Sequence, residues 1–333
     1  MFEGMKQAYL PKTRFPKRAV DREKCEKCGR CVTACPTGGI IWGGDGFPEP
    51  IGFGGFDQAC INCWNCVAMC PTDALSMEGS YQVEAGRYRT MTTGRMSPPD
   101  PLGNGQPWKK IEPELTEVEK VLYKRRSNRL FKKKAVDRAL LTRVLEAGRF
   151  APSGGNNQPY KFIVITDQAV IHEVELGAIG VLKRLKNLYL AKDGKRRLGK
   201  SSLFTMLSLF MVNKMDPRPF TAMDKAEKDQ ALYWHAPAII ILCKNTRGIA
   251  NPDLDIGICA QNMVLTAHSL GLGTCYIGLA IEPLNYPHLS GLRKKLGITH
   301  PWEAVTSIAV GWPKGKIDAV VSRDSVPVEW IEG

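Results

Sequence analysis

Long hydrophobic runs are missing from this chain of 333 residues. A membrane-spanning helix needs at least ~18 mostly apolar residues in a row. The strongest apolar stretch, Leu203 to Val212, is far shorter and is interrupted by Thr205 and Ser208. No transmembrane segment is therefore expected. The opening Met-Phe-Glu-Gly-Met-Lys has no apolar signal core, so a cytoplasmic location is expected. Repeats and low-complexity tracts are also missing. So is a Gly-x-Gly-x-x-Gly between a strand and a helix, which argues against a separate dinucleotide fold. Acidic residues fall short of basic ones, 33 against 46, leaving a formal charge of +13. Hydrophobic residues at 44% and charged residues at 24% exclude disorder as the main state.

Cysteine is abundant instead. Eight of the 11 cysteines form two blocks, Cys25, Cys28, Cys31, Cys35 before Pro36, and Cys60, Cys63, Cys66, Cys70 before Pro71. Both read C-x2-C-x2-C-x3-C-P, the bacterial run for paired iron–sulfur clusters, whose fourth cysteine reaches the other cluster. Two [4Fe–4S] clusters are expected, one on Cys25, Cys28, Cys31 and Cys70, the other on Cys60, Cys63, Cys66 and Cys35. Disulfides suit a secreted chain, and structural zinc takes two pairs of ligands rather than two blocks of four. The spacing resembles two-cluster bacterial ferredoxins over about residues 20–80, with a Gly-rich insertion, Thr37 to Ala59, expected to form a loop or hairpin. Cys243, Cys259 and Cys275 sit singly in apolar surroundings and read as core thiols.

The blocks set the domain boundaries. Residues 1–80 form the ferredoxin part. Residues 81–114, with five prolines, read as a linker or strap. Residues 115–333 then mix helices and strands. Helices are expected from Thr116 to Tyr123 and from Asp137 to Phe150, with Thr116 and Asp137 as N-caps and Glu119 closing a capping box. Strands are expected at 161–166, 238–242 and 304–310. Asp255 to Leu270, apolar around most of its circumference, reads as a buried or interfacial helix ended by Gly271.

Three further segments carry chemistry. Arg125-Arg126-Ser127-Asn128-Arg129 offers three guanidiniums and a hydroxyl, a set suited to phosphate. Ala151-Pro-Ser-Gly-Gly-Asn-Asn-Gln-Pro159 precedes a strand. Its Gly154 and Gly155 permit close backbone approach to a ligand, and Asn156 and Gln158 supply donors and acceptors. Gly271-Leu-Gly-Thr-Cys-Tyr-Ile-Gly278 and Val310-Gly-Trp-Pro313 follow.

Taken in order, these segments resemble the nitroreductase family of FMN flavoproteins over about residues 115–333. With the cysteine blocks, the chain resembles a ferredoxin–nitroreductase fusion. The resemblance implies an α+β fold: a ferredoxin-like two-cluster domain, then a sandwich with a mixed central sheet, homodimeric, with FMN at the interface. It implies that Arg125, Ser127 and Arg129, with Arg126 beside them, hold the FMN phosphate and ribityl chain. Pro152, Ser153, Asn156 and Gln158 would line the flavin, and Ile277 and Gly278 would present backbone near N5. A late basic residue, Arg323 or Lys316, would complete the phosphate site. The interface would use Asp255 to Leu270 and the tail 324–333. A variable insertion spans about 177–233.

The charge is unevenly placed. Residues 1–80 hold nine Lys/Arg and nine Asp/Glu, so the whole excess lies beyond them. The densest patch, 183–200, has eight basic residues against Asp193. It has few interleaved aromatics and no nucleic-acid fold signature, so no nucleic-acid partner is expected. An acidic electron-donor protein such as ferredoxin is the expected partner.

The function expected is an iron–sulfur flavoprotein reductase. It would take electrons from a low-potential donor and transfer hydride from N5 to a small acceptor: a nitro compound, a quinone or an activated double bond. An electron-transfer adaptor and a flavin-dependent dehydrogenase are the alternatives. His235 and Tyr276 are the candidate proton donors. Oxygen-labile clusters point to an anaerobic setting.

Overall fold

The computed structural model describes residues 13–51, 60–83, 90, 94–189, 218–315 and 318–332. Chain contacts divide it into two units. The first comprises 1–114, 185–225 and 320–333, and the second 115–184 and 226–319.

The first unit is built from short paired elements. Strand β1 (Lys17–Val20) leads into the first cysteine loop, which ends in the single-turn helix α1 (Arg30–Thr33). The Gly-rich insertion contains a hairpin, β2 (Ile40–Trp42) against β3 (Pro48–Pro50). The second loop ends in α2 (Asn65–Met69), and β4 (Leu75–Glu78) returns to pair with β1. A short strand, β5 (Met96–Ser97), lies within the Pro/Gly-rich strap.

The second unit is a four-stranded sheet covered on both faces. Helix α3 (Glu117–Lys124) starts at Thr116, whose hydroxyl accepts the Glu119 N–H, while Glu119 reaches back to the Thr116 N–H, a closed capping box. Helix α4 (Arg138–Arg149) starts after Asp137, but that carboxylate makes no capping bond. Asp137 is thus an N-cap by position only. Strand β6 (Tyr160–Ile165), helix α5 (Gln168–Tyr189) and helix α6 (Arg218–Asp229) follow, with 185–189 of α5 and 218–225 of α6 counted in the first unit. The stripe from Leu203 to Val212 and nearly all of the 183–200 patch's side chains fall outside the described residues. Within it, Lys183 pairs with Glu227 at 2.6 Å.

Strand β7 (Ala238–Asn245) is the centre of the unit, with residues 238–243 fully buried. Alternation splits its side chains between two cores. Ile239, Ile241 and Cys243 join Val174, Ala178 and Tyr233 on one face. Ile240 and Leu242 join Val144, Ile256, Cys259 and Met263 on the other. Each of the Ile, Leu, Val and Met side chains among them contributes roughly 1.5–3 kcal/mol of burial.

Helix α7 (Pro252–Ser269) begins three residues before the expected Asp255, capped by Asn251 with Pro252 in its first turn. It packs on α4 at Gly148, where an added Cβ would overlap Met263 and meet Cys259 Sγ at 3.0 Å. Gly271, at φ +76, ends the helix in the left-handed conformation glycine permits.

Strands β8 (Gly273–Tyr276) and β9 (Trp302–Gly311) complete the order β8-β9-β7-β6. All three strand pairs are antiparallel. The sheet is therefore antiparallel where the resemblance implies a mixed one; the parallel contact is an isolated bridge between Ser127 and Thr274, outside the paired strands. Cys243, Cys259 and Cys275 are all buried, as expected of core thiols.

Strand β10 (Arg323–Asp324) then leaves the second unit's chain and pairs with β5 in the first. The Asp324 carboxylate accepts from Ser80 Oγ and Gly94 N–H. These bonds assign the C-terminal residues to the first unit, where the sequence boundary at 115–333 places them with the second. Among the described residues no helix is long and apolar enough to cross a membrane.

Candidate iron–sulfur and flavin sites

The two cysteine blocks fold on one backbone plan. In the first, Lys27, Gly29 and Gly38 have positive φ of 54°, 67° and 64°. In the second, Asn62, Trp64 and Asp73 have 54°, 58° and 53°. The offsets from the cysteines are identical. Left-handed residues turn the chain tightly enough to aim successive thiols inward.

The fourth cysteines also match. Cys35 Sγ accepts the Gly39 N–H at 3.2 Å, and Cys70 Sγ accepts the Ala74 N–H at 3.1 Å. A threonine hydroxyl, Thr37 or Thr72, stands near each sulfur, at 3.6 and 3.8 Å. Such donors stabilise a thiolate.

The thiols group across the blocks. Cys31 feels Cys28 and Cys70, whereas Cys66 feels Cys63, Cys35 and Cys60. Burial pushes Cys31 and Cys60 up to about 11 and Cys66 well above its ordinary value. At Cys70 burial also pushes upward, but the N–H groups of Thr72, Leu75 and Ala74 and the Thr72 hydroxyl outweigh it, and the thiol is held below its usual value. A buried thiol keeps its proton unless a cation replaces it. Among the described residues no three His, Cys, Asp or Glu side chains converge where one metal ion would sit. A cubane's thiolates lie on the corners of a larger body and need not meet. The donor set and its grouping fit two clusters.

In the second unit, residues 125–129 run beside β8. Asn128 N–H donates to Thr274 O at 2.7 Å, and Gly273 admits this approach, since a Cβ there would lie 2.9 Å from Asn128 Cβ. Arg125, Ser127 and Arg129 occupy alternate positions of this run. Arg126 and Arg129 are buried, at 2% and 8% exposure. Arg129 lies over the Trp234 ring, 5.4 Å from its centroid. His268, at the end of α7, senses the charge. Burial lowers its pKa first, and Arg125, Lys124 and Arg126 lower it further, against a weaker pull from Asp318. Arg125 and Arg126, both acting on His268, with Arg129 in the same short run, are guanidiniums of the kind that suits an anion such as a phosphate monoester. Neither His268 nor Trp234 was singled out by sequence, because both reach this place through space.

The 151–159 loop is tightly built. Ser153 Oγ accepts the Gln158 N–H at 2.9 Å, and Gln158 Nε2 donates to Asn156 Oδ1 at 3.2 Å. Gly155, Asn156 and Gln158 all have positive φ. Pro152, Asn156 and Gln158 are exposed, and Ser153 is half-buried. The expectation for Gly154 and Gly155 needs correcting. Added Cβ atoms there would meet Ala250 Cβ at 2.5 Å and Ile249 Cδ1 at 2.8 Å, so the close approach is by the chain itself. Asp255, 4% exposed, accepts the Gly154 N–H at 3.2 Å. This loop anchor also escaped sequence reasoning.

The remaining candidates are spread out. Ile277 uses its N–H on Ser307 O and its carbonyl on Ser307 Oγ, both at 2.8 Å. Gly278 is exposed, with open space where a Cβ would stand. Tyr276 donates to Gln261 Oε1 at 3.4 Å, and burial pushes its phenol up to about 12 despite Arg125 nearby. His235 lines a cavity of 1040 Å³ with Lys132, Lys133, Lys134, Arg138 and Thr142; no flavin candidate lines it. Arg323 is exposed in β10, its guanidinium donating to Ser322 O. Lys316 lies outside the described residues.

Comparison with known proteins agrees with both halves. The 4Fe-4S binding domain matches residues 18–41 and 57–76. The nitroreductase family model matches residues 122–312. The chain is similar to a protein of Archaeoglobus fulgidus provisionally named NADH dehydrogenase/NAD(P)H nitroreductase, 23% identical over 217 residues, 63% of this chain and 93% of that one. A protein of the same name from Methanothermobacter thermautotrophicus is 23% identical over 192 residues, 57% of this chain and 73% of its own. Among solved structures, a nitroreductase from Bacteroides fragilis NCTC 9343 with bound FMN overlays with a TM-score of 0.48 at 19% identity, covering 66% of this chain and 100% of that one. With the family model spanning more than half of its length, the chain belongs to the nitroreductase family and carries a 4Fe-4S binding domain ahead of the family domain.

Proposed function

We propose that this oxidoreductase is an iron–sulfur flavoprotein reductase, drawing electrons from a low-potential donor protein and reducing a small organic acceptor. The observation that carries this reading is the presence in one chain of two matched four-cysteine loops and a buried arginine cluster. When bound, [4Fe–4S] clusters supply one-electron transfer and FMN supplies two-electron hydride chemistry.

The chain's own residues hold and orient these groups. Cys25, Cys28, Cys31 and Cys70 hold one cluster, and Cys60, Cys63, Cys66 and Cys35 the other, as the electrostatic grouping of the thiols supports. Arg125, Ser127 and Arg129 hold the FMN phosphate, with the buried Arg126 beside them in sequence. Ser153, Asn156 and Gln158 fix the ring through a loop that is already hydrogen-bonded. Gly278 offers open backbone, whereas Ile277 acts through its fold. Tyr276, protonated far above neutral pH, positions by donating and does not act as a base. Arg323 and Lys316 are the late basic candidates.

The name carried by the A. fulgidus relative supports nitro compounds among the acceptors and leaves nicotinamide as a competing donor. A homodimer is supported by the tail, where Val326, Val328, Trp330 and Ile331 are 63–97% exposed. Four apolar side chains so open call for a partner surface. An acidic donor such as ferredoxin suits the basic excess beyond residue 80.

The test is anaerobic stopped-flow spectroscopy of the holoprotein. Reduced ferredoxin is expected to reduce the flavin faster than NADPH, with reoxidation by a nitroaromatic or quinone. Purification of the protein without FMN, or flavin reduction by NADPH alone, overturns the scheme.

A further inference from the structure

The hairpin between the cysteine blocks lies across the first of them. Its Trp42 sits against Gly29, the left-handed residue between Cys28 and Cys31. A Cβ added at Gly29 would fall 2.5 Å from Trp42 Cζ2 and 3.2 Å from Cη2. The indole thus fills the space where a side chain would begin. The matching position of the second loop is Trp64, also left-handed. Each loop therefore has an indole at the equivalent place. The second loop supplies its own, and the first receives one from the inserted hairpin.

The other end of the hairpin is fastened to the same loop. Lys27 Nζ lies 4.0 Å from the Phe47 ring centroid and donates to Asp45 O at 3.4 Å. Arg22, just ahead of the loop, pairs with the Asp45 carboxylate at 2.6 Å. At the base, the Arg18 guanidinium donates to Gly39 O and Ile51 O at 2.9 and 3.2 Å. A two-stranded hairpin is marginal by itself, so these ties hold it down. Ile41 and Trp42 remain 43% and 49% exposed. Neither is placed to serve a core. The contact falls on Gly29, next in sequence to Cys28; Cys28 itself is exposed, whereas Cys63, its counterpart, is half-buried.

We propose that the Ile40–Pro50 hairpin is a cap over the cluster of the first loop, seated by Trp42 against Gly29. It limits access of water and chelators to that cluster and not to the other. This rests on the reading that Cys25, Cys28 and Cys31 share one cluster. Solvent exposure and the apolar shell are among the factors that set the behaviour of an iron–sulfur centre. Trp42 is a positioning residue: it acts through the cover it provides.

The test uses the anaerobic holoprotein challenged with bathophenanthroline disulfonate. Iron release is followed by absorbance, and the remaining clusters by electron paramagnetic resonance after reduction. In Trp42→Ala, half of the iron should leave about tenfold faster or more, within the range seen for outer-shell changes. Trp42→Phe keeps a ring and should stay near wild type. Gly29→Asn tolerates the left-handed backbone, but its Cβ displaces the indole. It should reproduce Trp42→Ala, and it decides the matter if that variant does not fold. Unchanged release in these variants, or equal acceleration of both halves, overturns the cap. Failure of the underlying reading is distinguishable. Cys28→Ser and Cys63→Ser would then not yield two proteins with different single-cluster spectra.

Discussion

Asp255 accepts the backbone N–H of Gly154 at 3.2 Å, across 101 residues of sequence. The bond ties the first turn of α7 to the loop carrying Ser153, Asn156 and Gln158. The other carboxylate oxygen is buried with no hydrogen-bond partner among the described residues. Asp255→Ala should loosen the loop and weaken FMN binding by about tenfold, the low end of the ~1.5–3 kcal/mol of a charge-assisted bond. Asp255→Asn keeps an acceptor and should lose less. Fluorescence titration of the flavin-free protein measures both.

Arg129 is buried and stacked on Trp234. Arg129→Ala should lower flavin occupancy sharply, since truncating a buried charged partner costs about 2–5 kcal/mol. Arg129→Lys should fall between, because lysine lacks the planar fork. The flavin-to-protein ratio after purification reports the outcome, and normal occupancy in Arg129→Ala would count against the phosphate site.

Cys70 and Cys28 lie in different blocks, yet both act on Cys31. Replacing either with Ala should impair the same cluster and leave matching resonance spectra. Cys35→Ala and Cys63→Ala should share the other spectrum. Pairing by block instead of across blocks would refute the crossed assignment.

His268 gives the flavin-free protein a pH dependence. Its folded pKa is lowered, by burial first and then by Arg125, Lys124 and Arg126. The unfolded chain therefore takes up the proton first as pH falls below about 6.5. The contribution is present above that pH and is lost as pH falls through the lowered value. His268→Gln should flatten the acid side of a plot of melting temperature against pH. Bound FMN phosphate, by offsetting the arginines, should flatten it in the wild type too.

The tail beyond β10 exposes Val326, Val328, Trp330 and Ile331. Deleting 326–333 should shift the protein from dimer to monomer in analytical ultracentrifugation. A dimer of unchanged affinity would exclude the tail from the interface.

Features that depend on local spacing were legible in the sequence. The cysteine blocks, the Thr116 capping box and the three long strands all follow from residues within a few positions of one another. Features made through space were not. Trp42 meets Gly29 only because a hairpin folds back, and Asp255 meets Gly154 only because α7 lies along the loop. Gly154 and Gly155 carry the right signal for close approach, but Ile249 and Ala250 are what approach them. The expected mixed sheet is antiparallel in all its described strand pairs, and the parallel contact, Ser127 to Thr274, is an isolated bridge outside the strands that no strand propensity announces.

The return of β10 to β5 has a topological consequence. Both segments of the second unit lie in sequence between the first and last segments of the first, 1–114 and 320–333. Arg323 and Asp324 are synthesised after all of residues 115–319, so the pairing of β10 with β5 cannot form until the whole flavin unit has been made. A protease that nicks the strap between 98 and 107 would not free an intact ferredoxin fragment, because β10 stays joined to the other piece. Excision of residues 1–80 as a stand-alone electron carrier would likewise remove Ser80 from the Asp324 carboxylate that holds it.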